Sequence, residues 1–198
     1  MKAPAPFNKG YFDNKTGDAL RKTISPNWES TERHLQIVDA PAGATKILEI
    51  GCGIGRILRE LYDQVPGRHC VGYDASEAMI REGKEYVGDR NIELLKCAGE
   101  GDDLTYQSDY FDFAFSIVVF QHIPSTPTVH RYITEMARML KPDGRIRFQV
   151  LSEDFNKGHL WSYHPLEDLQ SLLVSLGLDD VEQTPMSRWT VFSARKPA

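Results

Sequence analysis

The 198-residue sequence has little cysteine, no long apolar run and no surplus of basic residues. Its three cysteines, Cys52, Cys70 and Cys97, cannot all pair within one chain and lack the spacing of a metal-binding set. Neither a disulfide framework nor a zinc site is expected, and no metal is assigned. A bilayer-spanning helix needs about 20 consecutive apolar residues, and no such stretch is present, so no membrane span is expected. The first residues, Met-Lys-Ala-Pro-Ala-Pro, have no apolar segment behind them and do not read as a secretory signal, which leaves cytoplasmic residence as the default. Lys and Arg number 23 against 28 Asp and Glu, for a net charge of -5. With no basic cluster, nucleic acid is not the expected partner, because binding it rests on neutralising phosphates with grouped cations. Small neutral or cationic molecules suit the balance better, and the oligomeric state is open.

What is present is an alternation of short apolar runs and amphipathic stretches. A helix is expected from Trp28 or Ser30 to Val38, stopped by Pro41-Ala42-Gly43. Ile47-Leu48-Glu49-Ile50 reads as a strand, and Ile57, Leu58, Leu61 and Tyr62 then recur at helical spacing. His69 to Tyr73 is the next strand, followed by a helix that Asp74 or Ser76 can cap. Ile92 to Leu95 and Phe113 to Ser116 continue the strands. Val129, Ile133, Met136, Ala137 and Leu140 mark a helix that stops at Lys141-Pro142-Asp143-Gly144. In the strand beyond it, Ile146, Phe148 and Val150 alternate with Arg145, Arg147 and Gln149, although both faces of an interior parallel strand are normally apolar. A last helix carries Leu166 to Leu176, and Thr190 to Ala194 forms a final strand. This order implies an α/β fold with a doubly wound parallel sheet and helices on both faces. A single domain is expected, with an N-terminal helical cap over 1–44, a core over 45–151, a loop over 152–165, and a C-terminal helix and strands over 166–198.

In such sheets ligands bind beyond the carboxyl ends of the strands, and the first turn must admit them close to the backbone. Gly51, Gly53 and Gly55 supply that access. A dinucleotide turn would be spaced G-x-G-x-x-G, whereas Gly53 and Gly55 are two apart. Glu49 adds a carboxylate that would oppose a pyrophosphate but attract an ammonium or a sulfonium, both of which S-adenosylmethionine carries. Asp74, about twenty residues beyond the turn, suits the hydroxyls of a ribose. Capping of the following helix is the other reading of Asp74.

Read together, Ile47–Arg56 (ILEIGCGIGR), Gly72–Ile80 (GYDASEAMI), Gly99–Leu104, Tyr110–Pro124 (YFDFAFSIVVFQHIP) and Glu135–Val150 (EMARMLKPDGRIRFQV) resemble the ordered motifs of class I S-adenosylmethionine-dependent methyltransferases. The resemblance covers residues 44 to 151. It implies a mostly parallel, Rossmann-like sheet of about seven strands with an antiparallel last strand. It also implies methyl transfer from S-adenosyl-L-methionine to an O, N or C nucleophile of a small-molecule acceptor, with S-adenosyl-L-homocysteine released. By the same resemblance Glu49, Gly51, Cys52 and Gly53 line the methionine part of the cofactor. Asp74 holds the ribose, Ala75 and Met79 pack near the adenosine, and Glu100 and Gly101 face the adenine. Ser116, Ile117 and Val118 border the sulfonium, and Gln121 reaches the cofactor or the substrate. Asp143 stands where the family usually has Gly.

His122, beyond the end of a strand, is the candidate general base, with a loop histidine bonded to the backbone as the alternative. His159, Trp161 and His164 lie in an aromatic stretch suited to contact an acceptor or to anchor a surface loop. Tyr11, Phe12 and Trp28 form either a lid over the cofactor or part of the packed cap. Two other functions stay open at this level: a nicotinamide-dependent oxidoreductase, disfavoured by the glycine spacing and Glu49, and a non-catalytic cofactor-binding module.

Overall fold

The computed structural model describes residues 30–152 and 161–198. Seven strands form one sheet in the order β3-β2-β1-β4-β5-β7-β6. They are β1 (Lys46–Ile50), β2 (His69–Asp74), β3 (Ile92–Lys96), β4 (Phe111–Ser116), β5 (Leu140–Leu151), β6 (Asp179–Met186) and β7 (Trp189–Arg195). Strands β1 to β5 are parallel to one another, and β7 runs antiparallel to both β5 and β6. The expected sheet, with its antiparallel last strand, is therefore the observed one.

The helices are α1 (Ser30–Val38), α2 (Arg56–Gln64), α3 (Glu77–Val87), α4 (Thr126–Met139) and α5 (Leu166–Ser175), with a short 3-10 helix at Phe120–His122. Side chains alternate across a strand, so β1 feeds two cores. Ile47 joins Leu58, Leu61, Ile80, Phe113 and Phe115 on the face covered by α1, α2 and α3. Leu48 and Ile50 join Val129, Ile133, Met136, Leu169 and Leu173 on the face covered by α4 and α5. The two faces together account for the near-continuous apolar character of β1 and β4.

Local chemistry starts the helices. Ser76 accepts the Met79 N–H at 3.2 Å and Ser125 accepts the Thr128 N–H at 3.3 Å, each satisfying an amide that has no partner inside its helix. At the start of β5 the chain bulges: Leu140 pairs with Phe111 and Arg145 with Phe113, leaving Lys141–Gly144 looped out. Asp143 there has φ +64, a left-handed conformation that Asp tolerates better than most residues, and Arg195 Nη1 donates to its carboxylate at 2.9 Å.

The polar half of β5 departs from the expectation of two apolar faces. Ile146, Phe148 and Val150 point into the α4–α5 core. On the opposite face Arg147 Nε donates to the carbonyl of Ile37 at the end of α1, across 2.7 Å. A cation at a helix C-terminus satisfies a carbonyl that has no partner within the helix. Gln149, 3% exposed, accepts the N–H of Val118 at 3.2 Å. Strand β6 was not marked by any apolar run, because it is an edge strand that is mostly exposed and carries Pro185.

Candidate functional site

A cavity of about 600 Å³ opens at the carboxyl ends of β1, β2 and β4. That size is in the range of small-molecule and cofactor sites. Its floor is the β1–α2 turn, in which Gly51, Gly53 and Gly55 all have positive φ (74°, 56° and 79°). Gly51 is needed for space as well. A Cβ on Gly51 would fall within 2.7 Å of Val119 Cγ1, and at Gly53 the backbone faces the cavity with only Met79 Sδ near, at 3.8 Å.

The turn is tied to β2 by its own amides. Gly51 and Cys52 both donate to the Tyr73 carbonyl, at 2.7 and 3.0 Å, and Gly53 donates to Asp74 Oδ2 at 2.8 Å. Three successive N–H groups are thus used internally, whereas a dinucleotide turn aims such groups at a pyrophosphate. Asp74 Oδ1 accepts the Ser76 N–H at 2.8 Å, while the cap of α3 is Ser76 itself. Asp74 therefore organises the turn from the cavity wall and does not cap the helix.

Glu49 lines the cavity, 3% exposed, and its Oε2 has no hydrogen-bond partner among the described residues. Burial pushes its pKa well above the usual carboxylate range, opposed by the Arg56 guanidinium and reinforced by Asp74. Arg56, in the first turn of α2, donates to Thr31 Oγ1 and, at 3.1 Å, meets His34 Nδ1, both on α1. An arginine only donates, so His34 accepts at Nδ1. Burial and the neighbouring Arg56 and Arg33 bring the His34 pKa down to about 4.

His122 lines the cavity from the 3-10 helix after β4, and burial lowers its pKa to about 4. The Gln121 side-chain amide nitrogen lies 3.4 Å from His122 Nε2. An amide nitrogen donates, so the imidazole presents its Nε2 lone pair there. At neutral pH the ring is uncharged.

Of the residues singled out in the sequence, Glu49, Gly51, Cys52, Gly53, Asp74, Ala75, Met79, Ile117, Val118 and His122 border this one cavity. Four of the expected cofactor contacts stand outside its lining. Ser116 is fully buried and its Oγ donates to the Ile50 carbonyl at 3.0 Å, tying β4 to β1. Gln121 is buried beneath His122. Glu100 is exposed, with Arg131 Nη2 3.7 Å from its carboxylate, and Gly101 packs against the α4 backbone. Gly99, two residues before Gly101, is the member of that loop in the cavity wall.

The aromatic stretch behaves as an anchor. Trp161 packs on Trp189 with ring centroids 5.4 Å apart. His164 is fully buried, its Nε2 donating to the Phe120 carbonyl at 3.0 Å and its Nδ1 accepting from Thr126 Oγ1 at 3.0 Å. Tyr11, Phe12, Trp28 and His159 lie outside the described residues. Sequence reasoning missed His34, which only helix packing brings to the site. It also missed Cys97, whose position one residue past the end of β3 was a usable signal.

Among the described residues no group of three or more His, Cys, Asp or Glu is placed to hold a metal ion. None of their helices is long and apolar enough to cross a membrane.

Comparison with known proteins agrees with this geometry. Residues 47–144, about half of the chain, match the family described as "Methyltransferase domain". Nocamycin O-methyltransferase of Saccharothrix syringae is 32% identical over 116 residues, covering 58% of this chain and 40% of that protein. The chain spans about half or less of the length of the curated relatives it matches. Among solved structures, the complex between the Haloferax volcanii Trm112 methyltransferase activator and a methyltransferase gives a TM-score of 0.73 at 20% identity, covering 95% of this chain and 98% of that one. Phosphoethanolamine N-methyltransferase 2 of Haemonchus contortus, solved with phosphomonomethylethanolamine and S-adenosylhomocysteine, gives 0.69 at 20% identity, covering 87% of this chain and 53% of that one. The matching segment contains both the glycine turn and Asp74, and the fold is that of class I methyltransferases: the chain belongs to the methyltransferase-domain family.

Proposed function

We propose that this chain transfers a methyl group from S-adenosylmethionine to an O, N or C nucleophile of a small-molecule acceptor. The observation that carries the reading is the buried Glu49 Oε2, a carboxylate oxygen without a partner among the described residues, in a cavity whose glycine turn has already used its amides. Leaving a buried acceptor unsatisfied is costly, and a ligand ammonium would relieve it. The residues present thus fit the cationic amino-acid end of this donor and not a dinucleotide. When bound, the donor supplies an already activated methyl group on a sulfonium.

The remaining work falls to the protein. Glu49 accepts from the ammonium, and Asp74 takes the ribose hydroxyls while holding the turn. Ala75 and Met79 pack the adenosine, with Gly99 in the wall nearby. Ile117 and Val118 wall the side from which an acceptor approaches, excluding water and keeping it in line, which is where much of the rate of such a displacement comes from. His122, neutral at physiological pH, can take the acceptor's proton at Nε2 once that nitrogen is released from the Gln121 amide.

A small acceptor is supported by the names of the curated relatives, which include nocamycin and ubiquinone biosynthesis O-methyltransferases. The Haloferax likeness, at 20% identity, supports the fold and assigns no partner to this chain. Cytoplasmic residence belongs to the same reading and is supported by three free, buried cysteines. Incubation with methyl-labelled S-adenosylmethionine and a panel of small phenols, carboxylic acids and amines tests the proposal. Labelled product with release of S-adenosylhomocysteine is expected. Donor binding with no transfer to any member would instead favour a non-catalytic module.

A further inference from the structure

Val118 has φ +62. A β-branched residue in the left-handed region is strained, because its side chain crowds the backbone. It is also 40% exposed, although its neighbours Ile117 and Phe120 are buried at 4% and 0%. Something must hold it there. Its N–H donates to Oε1 of Gln149 at 3.2 Å, and Gln149 is a nearly buried polar side chain in the middle of the sheet, on β5. Nothing about an interior strand calls for a glutamine at that position.

The consequence reaches the donor cavity through the next residue. Val119 lies directly over Gly51, close enough that no Cβ fits between them, so the segment Ile117–Val119 and the glycine turn form two walls in contact. A shift of Val118 moves Val119 off the turn.

We propose that Gln149 is a positioning residue for this site: by accepting the Val118 N–H it holds Val118 in its left-handed conformation and fixes the Ile117–Val119 wall against the glycine turn. This rests on the reading of the cavity as a donor site. Gln149 touches no reacting group. It acts through Val118, and the isopropyl group of Val118 is thereby presented at the cavity mouth.

The test is Gln149→Met against Gln149→Glu, read by titration with S-adenosylhomocysteine and by thermal melting. Gln149→Met should weaken binding about tenfold, the scale for leaving a buried N–H without its acceptor. Gln149→Glu keeps an acceptor oxygen at the same reach and should bind within about threefold of the wild type. A general packing role for Gln149 would not separate the two variants by affinity. A Gln149→Met protein that binds as the wild type does, or a tenfold loss in Gln149→Glu, would overturn the inference while leaving the donor reading intact. A wild-type protein that fails to bind S-adenosylhomocysteine would overturn both. If Gln149→Met does not fold, the affinity of Gln149→Glu decides alone.

Discussion

The backbone N–H of Gly53 donates to Oδ2 of Asp74 across 2.8 Å, so the carboxylate at the end of β2 holds the turn that follows β1. The other oxygen of Asp74 accepts the Ser76 N–H at the start of α3. One side chain thus joins two loops of the cavity. Asp74→Ala should lower S-adenosylhomocysteine affinity roughly 10- to 100-fold, through lost ribose bonds and a loosened turn. Asp74→Asn, which keeps one acceptor oxygen, should fall between that variant and the wild type. Calorimetric titration of both variants checks this, and an unchanged affinity in Asp74→Ala would remove the ribose assignment.

Glu49 sets an unusual pH dependence. Its folded pKa is raised well above the ordinary value of 4.5, chiefly by burial. Above 4.5 the unfolded chain is ionised while the folded protein still holds the proton, so this group's contribution to stability declines as pH rises from 4.5 towards the folded value. Glu49→Gln removes that slope. The melting temperature of the ligand-free variant, measured against the wild type, should therefore gain as pH rises above 4.5. Its affinity for S-adenosylhomocysteine should drop. Ligand binding to the wild type should release protons, seen as a dependence of the binding heat on buffer ionisation enthalpy.

His122 and His34 act in the opposite sense. Both have folded pKa values lowered to about 4, so each favours the folded state fully above 6.5 and loses that contribution as pH falls through 6.5 towards 4. A double variant His34→Gln, His122→Gln should lose less melting temperature between pH 7 and 4.5 than the wild type does. For His122→Ala, methyl transfer should slow by about 100-fold with donor affinity retained. A rate equal to that of the wild type would make His122 a structural residue only.

The glycine turn has a steric limit that can be measured. Gly51→Ala would place a methyl group against Val119 at φ +74, and the combined backbone strain and overpacking should cost about 2–4 kcal/mol. Urea unfolding of the ligand-free protein reads this directly. A loss near zero would mean that the wall segment Ile117–Val119 moves freely.

What could be read from the chain itself follows the physics of each part. The apolar run at β1, the helical spacing of Ile57, Leu58 and Leu61, and the serine before α3 are local signals, and each led to the right element. The floor of the cavity was legible for the same reason, since Glu49 through Gly53 and Asp74 lie at strand ends that the alternation places side by side. Strand β6 was not, because an exposed edge strand needs neither an apolar run nor strict alternation. His34 and the Arg147–Ile37 bond depend on where α1 lands, which no local pattern encodes. Trp161 and His164 had the right chemistry for an acceptor but are spent on packing, on the Phe120 carbonyl of the 3-10 helix and on the Thr126 hydroxyl of α4.

The donor site itself is the central claim, and isothermal titration of the wild-type protein with S-adenosylhomocysteine, and separately with NADH, tests it most directly. One equivalent of S-adenosylhomocysteine should bind with proton release and NADH should give no heat beyond dilution. Binding of NADH with no response to S-adenosylhomocysteine would contradict it.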